Sequence, residues 1–204
     1  MRIAPAMLAI TASVLFLGLP GFAGEVQPAS AADRAQCTDW SSKTQPPKDI
    51  AVFRVNEGKV QRVDFKLYVA RVAAREWNVN HPELRKAGVV AVKQYAWYHV
   101  LHWRGGKYDG RCYDVKDTTS DQLYAAKPVD QIPNRIWDSV NATWSWRLYR
   151  DEKLPMTGYR RGTDVGCAKD AGYRLYVRSA RKCANNGWSA ERILQKYYTA
   201  NLVK

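Results

Sequence analysis

This chain of 204 residues predicts an α+β fold, a single domain with helices packed on short antiparallel hairpins. Three observations carry that prediction. Residues 64–103 hold apolar side chains at the three-to-four-residue spacing of two consecutive helices, residues 50–65 alternate as a β-hairpin does, and the remainder mixes short strand and helix patterns with turn residues. The length is that of one ordinary domain able to bury a core.

Taken in order, residues 1–32 have the form of a secretory signal peptide: Arg2 is the positive start, Ala6 to Leu19 the apolar stretch, and Ala29-Ser30-Ala31 the small-residue cleavage site. That stretch is shorter than a bilayer span requires, and no other is long and apolar enough to cross. Export is therefore expected. Residues 33–49 read as a polar amino-terminal arm broken at Pro46-Pro47, and residues 50–204 as the folded domain.

Within the domain, Val52, Arg54 and Val55 precede Asn56-Glu57-Gly58, and Val60, Arg62 and Val63 follow, which predicts a hairpin turning near Gly58. A first helix over 63–76 places Phe65, Tyr68 or Val69, Val72 and Glu76 on one face, so Glu76 ends an apolar stripe beside Trp77. Asn80 and Glu83 have capping-box spacing at the start of a second helix. Its face runs through Leu84, Ala87, Ala91, Tyr95 and Tyr98 and stops near Gly105-Gly106. Two apolar faces joined so closely should pack on each other.

Residues 107–124 read as a turn-rich loop with short extended pieces. Pro133 to Trp144 has Ile136, Val140 and Trp144 at helical spacing, and 146–149 and 154–159 flank a turn at Asp151-Glu152 as a second hairpin. Residues 158–186 are rich in glycine and basic residues, and Ser189 is placed to cap a closing helix carrying Ile193, Leu194 and Tyr197.

The net charge is +13, unchanged by loss of the signal peptide, which carries Arg2 and Glu25. A protein this basic dwells on polyanions, and outside a cell these are anionic wall polymers and lipid headgroups, with no nucleic acid expected; a solvated basic surface is the plainer account. Cys37, Cys112, Cys167 and Cys183 all follow the signal, and an even number in an exported chain argues for disulfides with three pairings open. We favour Cys167 with Cys183 and Cys37 with Cys112. A zinc site is the rival, but there is no CxxC or His-Cys cluster, so no metal and no cofactor is expected; His99 and His102 lie three apart and could share a ligand, though such a pair is more often one core and one surface histidine.

The segment Tyr68, Val69, Val72, Ala74, Glu76, followed by Pro82, Glu83, Lys86, Ala87, Val90, Ala91, Lys93, Tyr95 and Ala96, resembles the SpoIID/LytB domain of bacterial sporulation and amidase-enhancer proteins, with its "Y-V-x-x-V-V-A-x-E-M-P" and "P-E-A-L-K-A-Q-A-V-A-A-R-T-Y-A" runs. Asp117, Thr118, Thr119, Gln122 and Tyr124 are similar to its "D-T-T-H-x-Q-x-Y" motif. Val140, Thr143, Leu148, Tyr149, Lys153 and Pro155 match a later segment, and Ile193-Leu194 with Tyr197-Tyr198 its closing "I-L-x-x-Y-Y". The likeness spans about 50–200. It departs at Ser120, where the family has histidine, and at Gly172 to Ser179, which replaces "G-H-G-x-G-M-S-Q".

The resemblance implies a secreted or cell-wall-associated protein acting on peptidoglycan glycan strands by lytic transglycosylase-like cleavage. One carboxylic acid protonates the glycosidic oxygen and then, as carboxylate, takes a proton from the sugar's own 6-hydroxyl. Ordinary glycosidases use two carboxylates. Glu76 matches the family's catalytic glutamate, and an apolar stripe beside Trp77 would hold its proton. Lys93, Tyr95, Thr118, Thr119 and Gln122 are the expected substrate-binding residues, with core packing the rival for Tyr95 and turn closure for the threonines and Gln122. The alternative is a non-catalytic wall-binding enhancer that works with a cell-wall amidase. A nuclease or serine hydrolase finds no support, because G-x-S-x-G, a clustered His/Asp set and a phosphate-binding glycine loop are all missing.

Overall fold

A computed structural model of the protein describes residues 40–204. The expected signal peptide, the first part of the arm and Cys37 lie outside the described residues. Among the described residues the fold is α+β, with five helices and several small sheets around one core.

The hairpin forms as its alternation predicts. Strands β1 (Asp49–Arg54) and β2 (Lys59–Asp64) pair antiparallel from Asp49↔Asp64 to Arg54↔Lys59. They are joined by a short 3-10 turn, Val55–Glu57, and by Gly58, whose φ of 55° is a left-handed conformation that glycine adopts without strain. The chain passes directly into helix α1 (Phe65–Glu76), where the Asp64 carboxylate accepts the Leu67 N–H at 2.8 Å and so satisfies one of the first-turn donors.

Helix α2 (Pro82–Leu101) is 20 residues long and is the centre of the molecule. Sequence reading gives it one apolar face, yet Leu84, Val89, Val90, Val92, Trp97 and Val100 are all buried, so protein surrounds it on every side. The expected capping box is not formed. His81 takes the cap position without a side-chain bond, and Glu83 instead salt-bridges Lys86 at 2.8 Å and accepts the Ala190 N–H at 2.7 Å. Glu83 thereby caps the start of helix α5 (Ala190–Tyr198), where Ser189 also accepts the Arg192 N–H, as its position predicts.

The remaining elements close around α2. Short strands β3 (Lys107–Tyr108) and β4 (Arg111–Cys112) make a small hairpin, and β5 (Val115–Lys116) joins β1 in parallel. Helix α3 (Asn134–Ala142) leads to β6 (Arg147–Tyr149). The predicted hairpin between 146–149 and 154–159 does not form beyond one bridge, Arg150↔Lys153, although Asp151 and Glu152 do make the turn with φ of 50° and 59°. The reason is Gln94. Its amide accepts the Leu148 N–H at 2.7 Å and donates to the Leu148 carbonyl at 3.2 Å and to that of Pro155 at 3.0 Å, taking the groups a second strand would have used. Strand β6 pairs instead with β9 (Asn201–Val203), and β7 (Gly158–Arg160) pairs in parallel with β8 (Arg174–Tyr176), ahead of helix α4 (Val177–Asn185). The sheets are thus not all antiparallel hairpins: two of the pairings are parallel and join distant segments.

Residues 40–48 of the arm lie on the domain. The Ser42 carbonyl accepts the Trp97 indole N–H at 3.0 Å and the Thr44 carbonyl accepts from Arg147 at 2.8 Å. Cys167 and Cys183 form a disulfide, tying the loop before β8 to α4; Cys112 is also disulfide-bonded, and Cys37, expected to pair with it, is outside the described residues.

Trp77, which follows α1, is fully buried against α2 at Gly88, where an added Cβ would lie 2.0 Å from Trp77 Cδ2. Glycine is required there by close approach, despite its unfavourable helix propensity. Alanine in a helix interior ordinarily gains about 1 kcal/mol over glycine. Here Gly88→Ala should reverse the sign and cost about 3 kcal/mol, read as a lowered midpoint in urea unfolding.

Candidate active site

Glu76 is the last residue of α1, half-buried, and both of its carboxylate oxygens are held by distant parts of the chain. Oε1 accepts the Leu123 N–H at 2.7 Å, and Oε2 accepts the Tyr159 hydroxyl. Tyr159 comes from β7, and its ring meets the Trp77 indole edge-on at 5.3 Å between centroids. The stripe that ends at Glu76 therefore does not bury the carboxylate by itself; the 117–124 loop and β7 complete the enclosure.

The hydrogen bonds behind Tyr159 all point one way. Tyr68 donates to Gln122 Oε1 at 2.9 Å, Gln122 Nε2 donates to Tyr159 at 3.1 Å and to the Val92 carbonyl at 3.2 Å, and Tyr159 donates to Glu76. Burial, with the Glu76 charge second, holds the Tyr68 and Tyr159 hydroxyls far above the usual phenol range, so both remain donors. Glu76 itself is raised above the ordinary carboxylate range. Burial is the largest cause, opposed by the bonds from Tyr159 and Leu123 and by the nearby Arg75 charge. Each carboxylate oxygen keeps a second lone-pair direction, so the group can still present a proton to a ligand.

Beside this network is a cavity of about 290 Å³, lined by Tyr159, Tyr95, His99, Thr119, Ser120 and Asp121 together with three arginines, Arg104, Arg160 and Arg174. Asp121 organises one wall, accepting the Lys116 N–H at 2.7 Å, Arg104 at 2.8 Å and the Tyr95 hydroxyl at 3.1 Å. His99 is only 4 % exposed, and neither of its ring nitrogens has a partner. Burial pulls its pKa down to about 4, so it is a neutral imidazole with one donor and one acceptor. Glu76 is not among the residues lining this cavity; Tyr159 is the side chain common to both.

The structure brings together some of the residues singled out by sequence. Glu76 and Gln122 share the network, and Tyr95 and Thr119 line the cavity. Thr118 bonds the Ser120 hydroxyl at 2.8 Å within its own turn. Lys93 is elsewhere: it is 1 % exposed and donates to the carbonyls of Thr143, Trp144 and Trp146 at 3.0, 2.6 and 2.7 Å. Lys93 is therefore not placed to touch a substrate as its sequence position suggests, because its ammonium is committed to closing the end of α3. Burial pulls its pKa down to about 7, while three carbonyl acceptors act to keep it protonated. Among the described residues no three His, Cys, Asp or Glu side chains gather to hold a metal ion.

Tyr159, Asp121 and His99 were not expected at the site. Tyr159 arrives through the β7–β8 pairing, which no local pattern announces, and Asp121 differs from an ordinary loop aspartate only in its contacts. A scan against protein-family models and a search of curated proteins match nothing to this chain.

Two outcomes follow from this geometry. Tyr159→Phe removes a hydrogen bond that favours the carboxylate, so the Glu76 pKa should move still higher, read by carbon-13 NMR titration of the glutamate carboxyls. Because a raised carboxyl pKa contributes stability that is lost as pH rises through it, the decline of stability above the usual carboxylate range should be steeper in the variant. Lys93→Met strands three buried carbonyls and should destabilise the fold by about 2 kcal/mol, a balance of lost acceptor partners and relieved desolvation, measured by urea unfolding at neutral pH.

Proposed function

We propose that this protein cleaves peptidoglycan glycan strands by a lytic transglycosylase-like reaction, with Glu76 as the single general acid and base. The observation that carries this reading is a half-buried carboxyl whose pKa is raised by burial and whose second oxygen is joined through Tyr159 to a polar cavity. A carboxyl whose proton is held more tightly by burial can donate to a glycosidic oxygen, and its conjugate base can then take the proton of the 6-hydroxyl as the anhydro ring closes. Tyr159 has the geometry to follow that change, since its hydroxyl bonds the carboxylate more strongly than the acid. The motif resemblance around Glu76 supports the same assignment, as do the polar residues of the 117–124 loop at the cavity wall.

A second reading is favoured by one feature: both Glu76 oxygens already accept protein hydrogen bonds. In that reading the domain is a non-catalytic binder of the wall, its +13 charge drawn to anionic wall polymers and its partner a cell-wall amidase.

Purified glycan strands should yield anhydro-sugar ends with the parent protein and lose them, by at least about 100-fold in rate, with Glu76→Gln, the products being separated by mass. Absence of such ends with the parent, while it still pellets with the wall, would leave the binding reading.

A further inference from the structure

Two apolar side chains stand out from the surface on fastened backbone. Tyr173 is 73 % exposed and Met156 46 %. Just before Tyr173, the Gly172 N–H donates to the Tyr197 carbonyl at 3.1 Å and the Gly172 carbonyl accepts the Thr199 hydroxyl at 3.2 Å; just after it, Arg174 begins β8. Met156 stands between Pro155, whose carbonyl accepts Gln94 at 3.0 Å, and Thr157, whose hydroxyl donates to the Ala91 carbonyl at 2.8 Å. Each residue can therefore meet a partner without first ordering its backbone. Both line one cavity of about 930 Å³, together with Leu101, Leu154 and Pro155.

Cations surround the pair. The Arg150 guanidinium lies 4.5 Å from the centre of the Tyr173 ring and donates to the Tyr198 carbonyl at 3.3 Å. Lys43, Lys153 and Arg174 line the same cavity, and Arg160 stands with Met156 and Arg174 in the smaller one that adjoins it. Asp151 and Asp170 line the larger cavity too, and Glu152 shares the turn of Asp151, yet among the described residues none of these five cations forms an ion pair. The basic surface continues beyond the cavity. The Arg178 N–H donates to the Arg161 carbonyl at 3.1 Å, both side chains are exposed, and Asp164 beside them is taken by Lys182 at 2.9 Å. Helix α4 carries Arg178 and no acid in its first turn, where the helix dipole disfavours a cation. Residues 158–196 hold nine Lys and Arg against three Asp and Glu, nearly half of the chain's +13.

We propose that this face is a docking surface for a bilayer rich in anionic lipid. Tyr173 and Met156 enter the headgroup layer, and the arginine and lysine heads around them meet lipid phosphates. Tyrosine suits that depth because its ring is apolar and its hydroxyl stays hydrated, and guanidinium groups suit it because they bind phosphate with two donors while their stems lie along apolar surface. A phosphate polymer free in solution would take up the cations and leave both apolar side chains in water. The union of exposed apolar groups with unpaired cations is what favours the lipid surface. It involves neither Glu76 nor Tyr159, so it stands whether or not the protein cleaves glycan, and it adds a lipid partner to a chain expected to be exported.

The test is cosedimentation of the protein, recovered after export, with vesicles of phosphatidylglycerol and phosphatidylcholine in equal parts or of phosphatidylcholine alone. All variants share one amino terminus, so any contribution from it is common to them. The anionic vesicles should be bound at least about tenfold more tightly than the neutral ones. Tyr173→Ser with Met156→Ser should weaken that binding about tenfold and leave binding to poly(glycerol phosphate) unchanged. Arg160→Gln with Arg174→Gln should weaken it about tenfold as well and lessen its dependence on salt. None of the four side chains is buried, and thermal melting checks that each variant is folded. Equal binding of the two kinds of vesicle, vesicle binding that survives either double variant, or a loss in the serine variant that falls equally on poly(glycerol phosphate) would overturn the lipid surface. Glycan cleavage is read separately, by anhydro ends from the parent, so either result can fail without the other.

Discussion

The polar groups of a helix enclosed by protein need partners, and helix α2, the His99 ring apart, meets that constraint in a way that sets the positions of most other elements. Arg85 donates to the Arg135 carbonyl and Ser139 hydroxyl, Lys93 to the carbonyls of Thr143, Trp144 and Trp146, and Gln94 to those of Leu148 and Pro155. Read along α2, the targets advance along the chain in the same order. Three buried polar side chains therefore lay the segment 135–155 against the helix at fixed register. Unsatisfied, such groups would each cost about 1–3 kcal/mol. Satisfied, they leave few alternatives for how that segment is placed.

The same helix anchors the site. The Ala91 carbonyl accepts the Thr157 hydroxyl at 2.8 Å and the Val92 carbonyl accepts Gln122, so two segments of distant sequence are fastened to neighbouring residues of α2. Thr157 precedes β7 and its Tyr159; Gln122 precedes Leu123. The two donors that grip Glu76 are thus each one or two residues from an anchor on α2. Carboxylate chemistry at the end of α1 depends on a helix that contributes no atom to the carboxylate itself.

Much of this was legible in the sequence where the signal is local. Alternation gave the β1–β2 hairpin, three-to-four-residue spacing gave α1, α2, α3 and α5, and Ser189 gave a cap. The pairing of Cys167 with Cys183 likewise agrees with the favoured one. Reading failed where a side chain replaces a backbone partner or where distant segments pair. Gln94 looks like any polar residue in a helix, yet it displaces a hairpin; Lys93 looks like a surface cation on the helix after Glu76, yet it closes a helix end in the core. The parallel pairs β1–β5 and β7–β8 leave no periodic trace, and with the second went Tyr159 and Arg174. At the site, Glu76, Tyr95, Thr119 and Gln122 were legible, and the groups that tune and surround them were not.

The two hydrogen bonds on Glu76 span 47 and 83 residues of chain. A growing polypeptide that has been made only as far as α3 already contains the glutamate, its helix and the Leu123 N–H, but not Tyr159 or the strand that carries it. At that stage the carboxyl lacks one of its two donors and the strand that helps to enclose it. The burial that raises its pKa is completed in part by β7, so maturation of the acid is coupled to completion of the fold, and a chain truncated before Gly158 carries the residue without that enclosure.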